Sequence, residues 1–256
     1  FAGTPRTSDG SLLFLQNLIH KMNPTGSRIG IVLNGSPLFT GDAGSGESEI
    51  RKWIIENDWL ECILQLPDRM FFNTGITTYI WIVTNKKSDE RKGKVQLIDG
   101  SSFSTSMKKN LGDKNKEILK EQIDYLFEIY KNYEEGKYCK IFPNKYFGYT
   151  KVTVEQPLKE NGMIIKDKKG NYKVDPKKRD YERIPLLDDI EDYFQKEVKT
   201  HLTDSWMDRS KEKVGYEINF TKYFYKFNVL RDPQEIMKDL NSIDLEIDTL
   251  SKDLRI

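Results

Sequence analysis

The spacing of apolar residues divides the first hundred positions into alternating helices and strands. Residues 9–22 carry apolar side chains at helical intervals, and the apolar run at 28–33 suits a strand buried in a parallel sheet. A second helix is predicted at 47–57, with strands around 60–66 and 77–84. This order indicates an α/β fold. It is typical of the closing part of a doubly wound sheet, because no opening strand with a glycine-rich turn precedes it.

The middle of the chain predicts further elements of both kinds. A short strand is expected at 95–99 and an amphipathic helix at 115–135. The sequence Lys169-Gly170-Asn171 predicts the turn of a small hairpin. With a boundary placed between Gly148 and Lys159, the chain divides into residues 1–150, 151–231 and 232–256. The apolar positions that define the middle helix are Leu119, Ile123, Leu126, Tyr130 and Tyr133.

The last segment carries the clearest periodicity. Asp232 is a predicted cap, Pro233 suits the first helical position, and Glu235 completes a pattern similar to a capping box. Apolar residues then follow at alternating intervals of four and three, which is the seam of a coiled coil. This seam could pack on the chain's own domain, but its narrow width favours a helix of a partner subunit. The seam residues are Ile236, Leu240, Ile243, Ile247, Leu250 and Leu254.

Composition narrows the class of protein. Hydrophobic residues make up 37% of the chain and charged residues 32%, and no apolar run reaches the ~20 residues of a membrane span. The two cysteines, Cys62 and Cys139, lack the spacing of a zinc site or a disulfide framework. A soluble cytoplasmic protein without a metal site is therefore expected. Because the chain begins with Phe1 rather than Met, a preceding segment is also expected.

The net charge of +1 is unevenly distributed. Residues 159–183 hold nine basic against five acidic side chains, whereas residues 184–256 hold eleven against sixteen. A solvated face is the default interpretation of the basic stretch, and contact with nucleic-acid phosphates is the alternative. The candidate phosphate ligands are Lys166, Lys168, Lys169 and Lys173.

Two glycine-containing motifs invite comparison with known sites. Residues 41–48 have the glycine spacing of a phosphate-binding loop, but Glu47 stands where that loop needs lysine. Nucleotide hydrolysis is therefore excluded. The turn at 71–76 is more informative, because two aromatic residues precede Asn73 and Gly75 at the sheet edge where α/β proteins bind ligands. An aromatic ring there could stack on a flipped base, or it could simply fill the core.

Six segments of the sequence together form a recognisable set: 9–15 (DGSLLFL), 34–48 (NGSPLFTGDAGSGES), 53–60 (WIIENDWL), 72–76 (FNTGI), 93–99 (GKVQLID) and 213–220 (KVGYEINF). In this order they resemble the N6-adenine DNA methyltransferase (M) subunit of type I restriction–modification systems. The resemblance implies the C-terminal part of a Rossmann-like, S-adenosylmethionine-dependent methyltransferase sheet. It also implies a following mixed α+β region and a coiled-coil-type helix for subunit assembly.

The family resemblance also assigns expected roles. Such enzymes transfer a methyl group from S-adenosylmethionine to adenine N6 in DNA, and they work with a specificity subunit and a restriction subunit. Phe72, with Asn73, Thr74 and Gly75, is expected against the target base, and the C-terminal seam against the specificity subunit. The donor motif and the catalytic Asn-Pro-Pro-aromatic motif are not in this sequence, so catalytic residues are expected upstream of Phe1. The chain alone is accordingly predicted to be inactive. The rival hypothesis is a non-catalytic assembly and DNA-binding module.

Overall fold

The computed structural model describes residues 2–225 and 231–253. They belong to two compact units, which divide after Tyr223. The predicted division into three domains stays a prediction. The elements of the first part of unit one are α1 (Ser11–His20), β1 (Arg28–Asn34), α2 (Ser36–Phe39), α3 (Gly46–Glu56), β2 (Leu60–Gln65), β3 (Thr78–Thr84), β4 (Lys94–Asp99), β5 (Thr105–Leu111), β6 (Lys114–Glu117), α4 (Lys120–Asn132) and β7 (Cys139–Pro143).

A five-stranded mixed sheet forms the centre of this unit, in the order β1-β3-β2-β4-β7. Strand β3 runs antiparallel to both β1 and β2, and β2 is parallel to β4. Strands β1, β2 and β4 therefore share one direction. The α/β fold predicted from the sequence is confirmed, and the consecutive strands β2 and β3 form an antiparallel pair.

Two predicted elements need correction. Strand β1 is not buried within a parallel sheet: it pairs with β3 alone among the described strands, and Val32 is 47% exposed. The helix predicted at 115–135 begins only at Lys120, because residues 114–117 pair with β5 as strand β6. Helix α1, expected within residues 9–22, is observed at Ser11–His20, and the Asp9 carboxylate accepts a hydrogen bond from the Ser11 amide.

Helix α4 covers part of one face of the sheet. Cys62, Ile98 and Cys139 are buried there against Leu126 of the helix. Burial raises the pKa of both thiols. A cavity of about 800 Å³ remains on this face, lined by residues of α4 and by Gly30 of β1. The face is therefore only partly covered. On the other side of the sheet, α1 packs against β1 and α3.

A second, three-stranded sheet follows, made of β8 (Gly148–Glu155), β11 (Asp180–Pro185) and β12 (Trp206–Tyr216) in the order β11-β8-β12. Both outer strands are antiparallel to the central strand β8. A Cβ added to its first residue, Gly148, would lie 2.3 Å from a side-chain atom of Leu186, which would have to move. The remaining elements of this region are β9 (Lys159–Glu160), β10 (Met163–Ile164), α5 (Ile190–Tyr193) and α6 (Phe220–Phe224).

Arg51 of α3 joins the glycine-rich loop to the second sheet. Its side chain is fully buried and donates to four backbone carbonyls, of Pro37, Thr40, Gly41 and Tyr216, over 2.5 to 3.3 Å. Burial lowers the pKa of the guanidinium to about 10, which leaves it charged at neutral pH. Around it, the Tyr216 amide donates to the Ser48 hydroxyl. The Arg51 side chain thus supplies hydrogen-bond donors to backbone carbonyls of both the glycine-rich loop and the end of β12.

Unit two contains helix α7 (Pro233–Asp253). Its predicted cap is confirmed, since Asp232 accepts a hydrogen bond from the Gln234 amide at 2.8 Å. Five seam residues, Ile236, Leu240, Ile243, Ile247 and Leu250, are 42% to 58% exposed. The sixth, Leu254, lies outside the described residues. None of the helices in the described ranges is long and apolar enough to cross a membrane.

Replacing Arg51 with leucine should destabilise unit one, because four carbonyls would lose their buried donor. Each unpaired buried group costs about 1–3 kcal/mol, so we expect a loss above about 3 kcal/mol in the free energy of unfolding. Urea denaturation followed by tryptophan fluorescence measures it. Lys52→Leu, one position along the same helix, is the control and should change the midpoint little. Equal midpoints for the two variants would contradict this role for Arg51.

Candidate functional site at the carboxyl edge of the sheet

Three parallel strands end together at one edge of the first sheet. Asn34 ends β1, Gln65 ends β2 and Asp99 ends β4. The pairing confirms their alignment, with Asn34 opposite Thr78 and Gln65 opposite both Tyr79 and Asp99. The carboxyl ends of parallel strands are where open α/β sheets bind ligands. The segment between β2 and β3 leaves the sheet at this edge.

That segment presents aromatic rings to solvent. A bridge between Phe71 and Thr74 closes a tight turn that contains the predicted site residues. Phe72 is 57% exposed and Phe71 39% exposed. The alternative in which these rings fill the core is therefore wrong. Within the turn, Asn73 and Gly75 are also exposed, and Thr74 is half-buried.

The hairpin of β5 and β6 holds this aromatic turn in place. The Asp113 amide donates to the Phe72 carbonyl at 2.9 Å, and the Asn115 amide donates to the Arg69 carbonyl at 3.2 Å. The ammonium of Lys114 lies 5.6 Å from the centre of the Phe72 ring, within the range of a cation–π contact. Two backbone bonds and one ring contact thus fix the position of Phe72.

An ion pair also joins the β5–β6 hairpin to the residues that precede the aromatic turn. Lys116 of β6 pairs with Asp68, which precedes the turn. The hydrogen bond from Lys116 is the main cause that lowers the pKa of the Asp68 carboxyl. Gly112 allows the close approach, because its φ is +64° and an added Cβ would lie 2.6 Å from the Phe72 carbonyl oxygen. Sequence reasoning missed this hairpin, although Gly112-Asp113 is a recognisable turn signal.

The glycine-rich loop at 41–46 is filled by the chain's own residues. A Cβ on Gly46 would lie 1.8 Å from the Thr4 carbonyl oxygen, and one on Gly44 would lie 3.1 Å from the Lys213 side chain. Asp42 pairs with Lys151, so the loop's carboxylate is also engaged. The loop offers no open cradle for a phosphate.

The four lysines predicted to contact phosphates lie around one exposed turn. Gly170 has φ +86°, and the Asp167 carboxylate accepts hydrogen bonds from the amides of Lys169 and Asn171 at 2.8 and 2.9 Å. The predicted turn is therefore confirmed. All four ammonium groups, of Lys166, Lys168, Lys169 and Lys173, are on exposed residues, and none forms an ion pair within residues 2–225 or 231–253.

A five-stranded mixed sheet flanked by helices places the chain in the class of α/β proteins. Residues 1–172 match the model of the N-6 DNA Methylase family. The chain belongs to that family.

Its relatives include methylase subunits of type I restriction enzymes. The MjaVII methylase subunit of Methanocaldococcus jannaschii is 28% identical over 179 residues, which cover 67% of this chain and 26% of the relative. The HindI methylase subunit of Haemophilus influenzae is 37% identical over 97 residues, covering 38% and 21%. A crystal structure of the type I methyltransferase subunit from Streptococcus thermophilus aligns with a TM-score of 0.47 at 25% identity, covering 55% of this chain and 28% of that one. The chain spans about a quarter of the length of the curated relatives that it matches.

Proposed function

We propose that this chain is part of a type I modification subunit. It supplies the residues that contact the target base and the helix that binds the specificity subunit. The complete subunit, joined to its specificity subunit, transfers a methyl group from S-adenosylmethionine to adenine N6 in DNA. The observation that carries the proposal is the exposed Phe72 ring, held at the carboxyl edge of a mixed sheet in an N-6 DNA methylase. In that assignment the sheet is the closing part of a Rossmann-like methyltransferase sheet.

The aromatic turn would receive an adenine turned out of the duplex. A base stacked on an aromatic side chain gains about 1–3 kcal/mol, and a ring already fixed by the hairpin pays little ordering entropy for that contact. The exposed amide of Asn73 can hydrogen-bond the edge of a base. Lys114 beside the ring adds a positive charge close to the extruded nucleotide.

The described residues do not fit the methyl donor. S-adenosylmethionine needs a glycine turn that a ligand can approach, whereas Thr4, Arg51 and Lys213 occupy the glycine-rich loop of this chain. The donor and the catalytic carboxamide belong, in this proposal, to the remainder of the methylase.

Strand β1 pairs only with β3 among the described strands, and its other edge supports the assignment of the donor site to the remainder of the methylase. Val32 is half-exposed there, and Phe14 of α1 beside it is 70% exposed. An unpaired strand edge flanked by apolar side chains is prone to association. The remainder of the methylase domain would cover this edge, together with the cavity beneath α4.

Helix α7 provides the proposed contact to the specificity subunit. Its exposed seam is flanked by carboxylates of Asp239, Asp244 and Glu246, next to the apolar positions. Opposite charges beside the seam of a coiled coil select the partner. The partner helix should therefore carry lysine or arginine beside its own apolar seam. The lysines around Gly170 are assigned to the DNA backbone, because they are exposed and lack ion pairs with described residues.

We expect the isolated chain neither to bind S-adenosylmethionine nor to methylate DNA, because its glycine-rich loop is filled. Titration calorimetry with S-adenosylmethionine measures the first property, and a methylation assay on duplex DNA measures the second. The positive control is the complete assembled methylase. Stoichiometric donor binding by the 256-residue chain would contradict this division of the site.

In the complete methylase, Phe72→Ala should lower target-base binding roughly ten- to a hundred-fold, since stacking of about 1–3 kcal/mol is lost. The readouts are methylation rate and the fluorescence of 2-aminopurine placed at the target position, which rises when a base is unstacked. Phe72→Trp should keep both signals, and Phe39→Ala on α2, a ring that is 56% exposed, is the control. Unchanged methylation by Phe72→Ala would reject the base contact. A complete complex that binds DNA but never methylates it would instead indicate a non-catalytic assembly module.

Replacing Ile243 and Leu250 together with aspartate should abolish co-purification with the specificity subunit, because charges would enter the apolar seam. The matched control is Leu245→Asp on the same helix, at a position that is 68% exposed and off the seam. That variant should co-purify normally. Retention of the complex by the double variant, or its loss with Leu245→Asp, would count against the seam as the interface.

A further inference from the structure

The β5–β6 hairpin has no evident role in the core. Every residue of β5 except Met107 is exposed, and its sequence lacks the alternation of a strand that buries one face. The hairpin docks instead on the segment from Asp68 to Phe72, through the two amide bonds and the ion pair described above. Its position is therefore tied to the aromatic turn.

A large bulge interrupts the hairpin. Ser106 pairs with Lys116, and the next pair is Leu111 with Lys114, so residues 107–110 have no partner in the register. Bulges of this kind re-aim side chains and occur beside functional sites. Here the bulge contains Lys108, Lys109 and Asn110, all exposed.

The two lysines of the bulge form no ion pairs with the described residues, unlike Lys116 of the same hairpin. Lys116 pairs with Asp68, and Lys114 lies against the Phe72 ring. By contrast, neither Lys108 nor Lys109 forms an ion pair with any residue that the structure describes. Two adjacent ammonium groups and an amide on a bulged backbone are suited to phosphate oxygens, which accept from all three.

The bulge lies close to the position assigned to the flipped base. Leu111 pairs with Lys114, whose ammonium is 5.6 Å from the Phe72 ring centre. Lys109 stands two residues before Leu111, and its Cα lies at most about 7 Å from that of Leu111, because ~3.3 Å per residue is the rise of a fully extended strand. That distance is comparable to the spacing between neighbouring phosphates on one strand.

We propose that Lys108, Lys109 and Asn110 bind the DNA phosphates that flank the extruded adenine. The bulge thereby fixes the strand while Phe72 receives the base. This inference rests on the proposed function, because it places duplex DNA at the aromatic turn. Its chemistry is separate, however, since phosphate contacts carry no base preference and contribute chiefly a salt-dependent affinity.

The test measures DNA binding by the complete assembled methylase as a function of salt. Each lost phosphate contact should lower the slope of log K against log salt by about 0.9, so Lys108→Gln with Lys109→Gln should lower it by about 1.8. The control is Lys120→Gln with Lys131→Gln, the same charge change on α4. An unchanged slope for the bulge variant, or an equal fall for the control, would overturn the inference.

A second readout locates the contact. Both cysteines of this chain are buried, so within it a thiol-attached photocrosslinker on Lys109→Cys labels the bulge, and the assembly without this substitution gives the background from any other cysteine. Crosslinks should map within about two nucleotides of the target adenine, and crosslinks confined to distant phosphates would overturn the inference. Phe72→Ala separates the two proposals: it should change the 2-aminopurine signal and leave the salt slope intact. If Phe72→Ala has no effect while the bulge variant lowers the slope, the base contact fails and the phosphate contact stands.

Discussion

The buried guanidinium of Arg51 is the constraint on which the arrangement of unit one depends. A buried cation is costly unless its hydrogen bonds are satisfied, and here four carbonyls from two distant parts of the chain satisfy them. The glycine-rich loop must therefore curl around α3, and the end of β12 must reach the same helix. That requirement explains why a loop with the glycine spacing of a phosphate-binding loop is closed. The Arg51 guanidinium, a positive charge that could attract phosphate, instead donates its hydrogen bonds to backbone carbonyls.

Much of the first sheet could be predicted from sequence, because its strands are short apolar runs bounded by clear turns. Thr78–Thr84 and Lys94–Asp99 lie within a residue of their predicted positions. The hairpin of β5 and β6 could not be found this way. Its strands bury almost nothing, so no hydrophobic alternation marks them, and its docking depends on backbone amides that any residue possesses. For the same reason, the partners of Arg51 are invisible in sequence, since Tyr216 lies 165 positions away.

The residues of the candidate site could be predicted from the sequence, but the exposure of their side chains could not. Adjacent aromatics before Asn73 and Gly75 predicted a turn at a strand end, yet only the fold distinguishes an exposed ring from a buried one. The exposure of Phe72 follows from the tight bridge between Phe71 and Thr74 and from the hairpin beneath it. The seam of α7 was easier, because a helix carries its periodicity in the sequence itself. In both cases the pattern located a surface, and the proposed occupant comes from the family.

The placement of the two cysteines has a practical consequence for spectroscopy. Cys62 and Cys139 lie in the same buried cluster against α4, and burial raises the pKa of each thiol, so little thiolate is present at neutral pH. Maleimide reagents react with the thiolate, which makes the native side chains poor targets for dyes or spin labels. A single cysteine introduced at an exposed position would take up such a probe selectively without removal of the native pair. Distances between the aromatic turn and bound duplex could then be followed in solution.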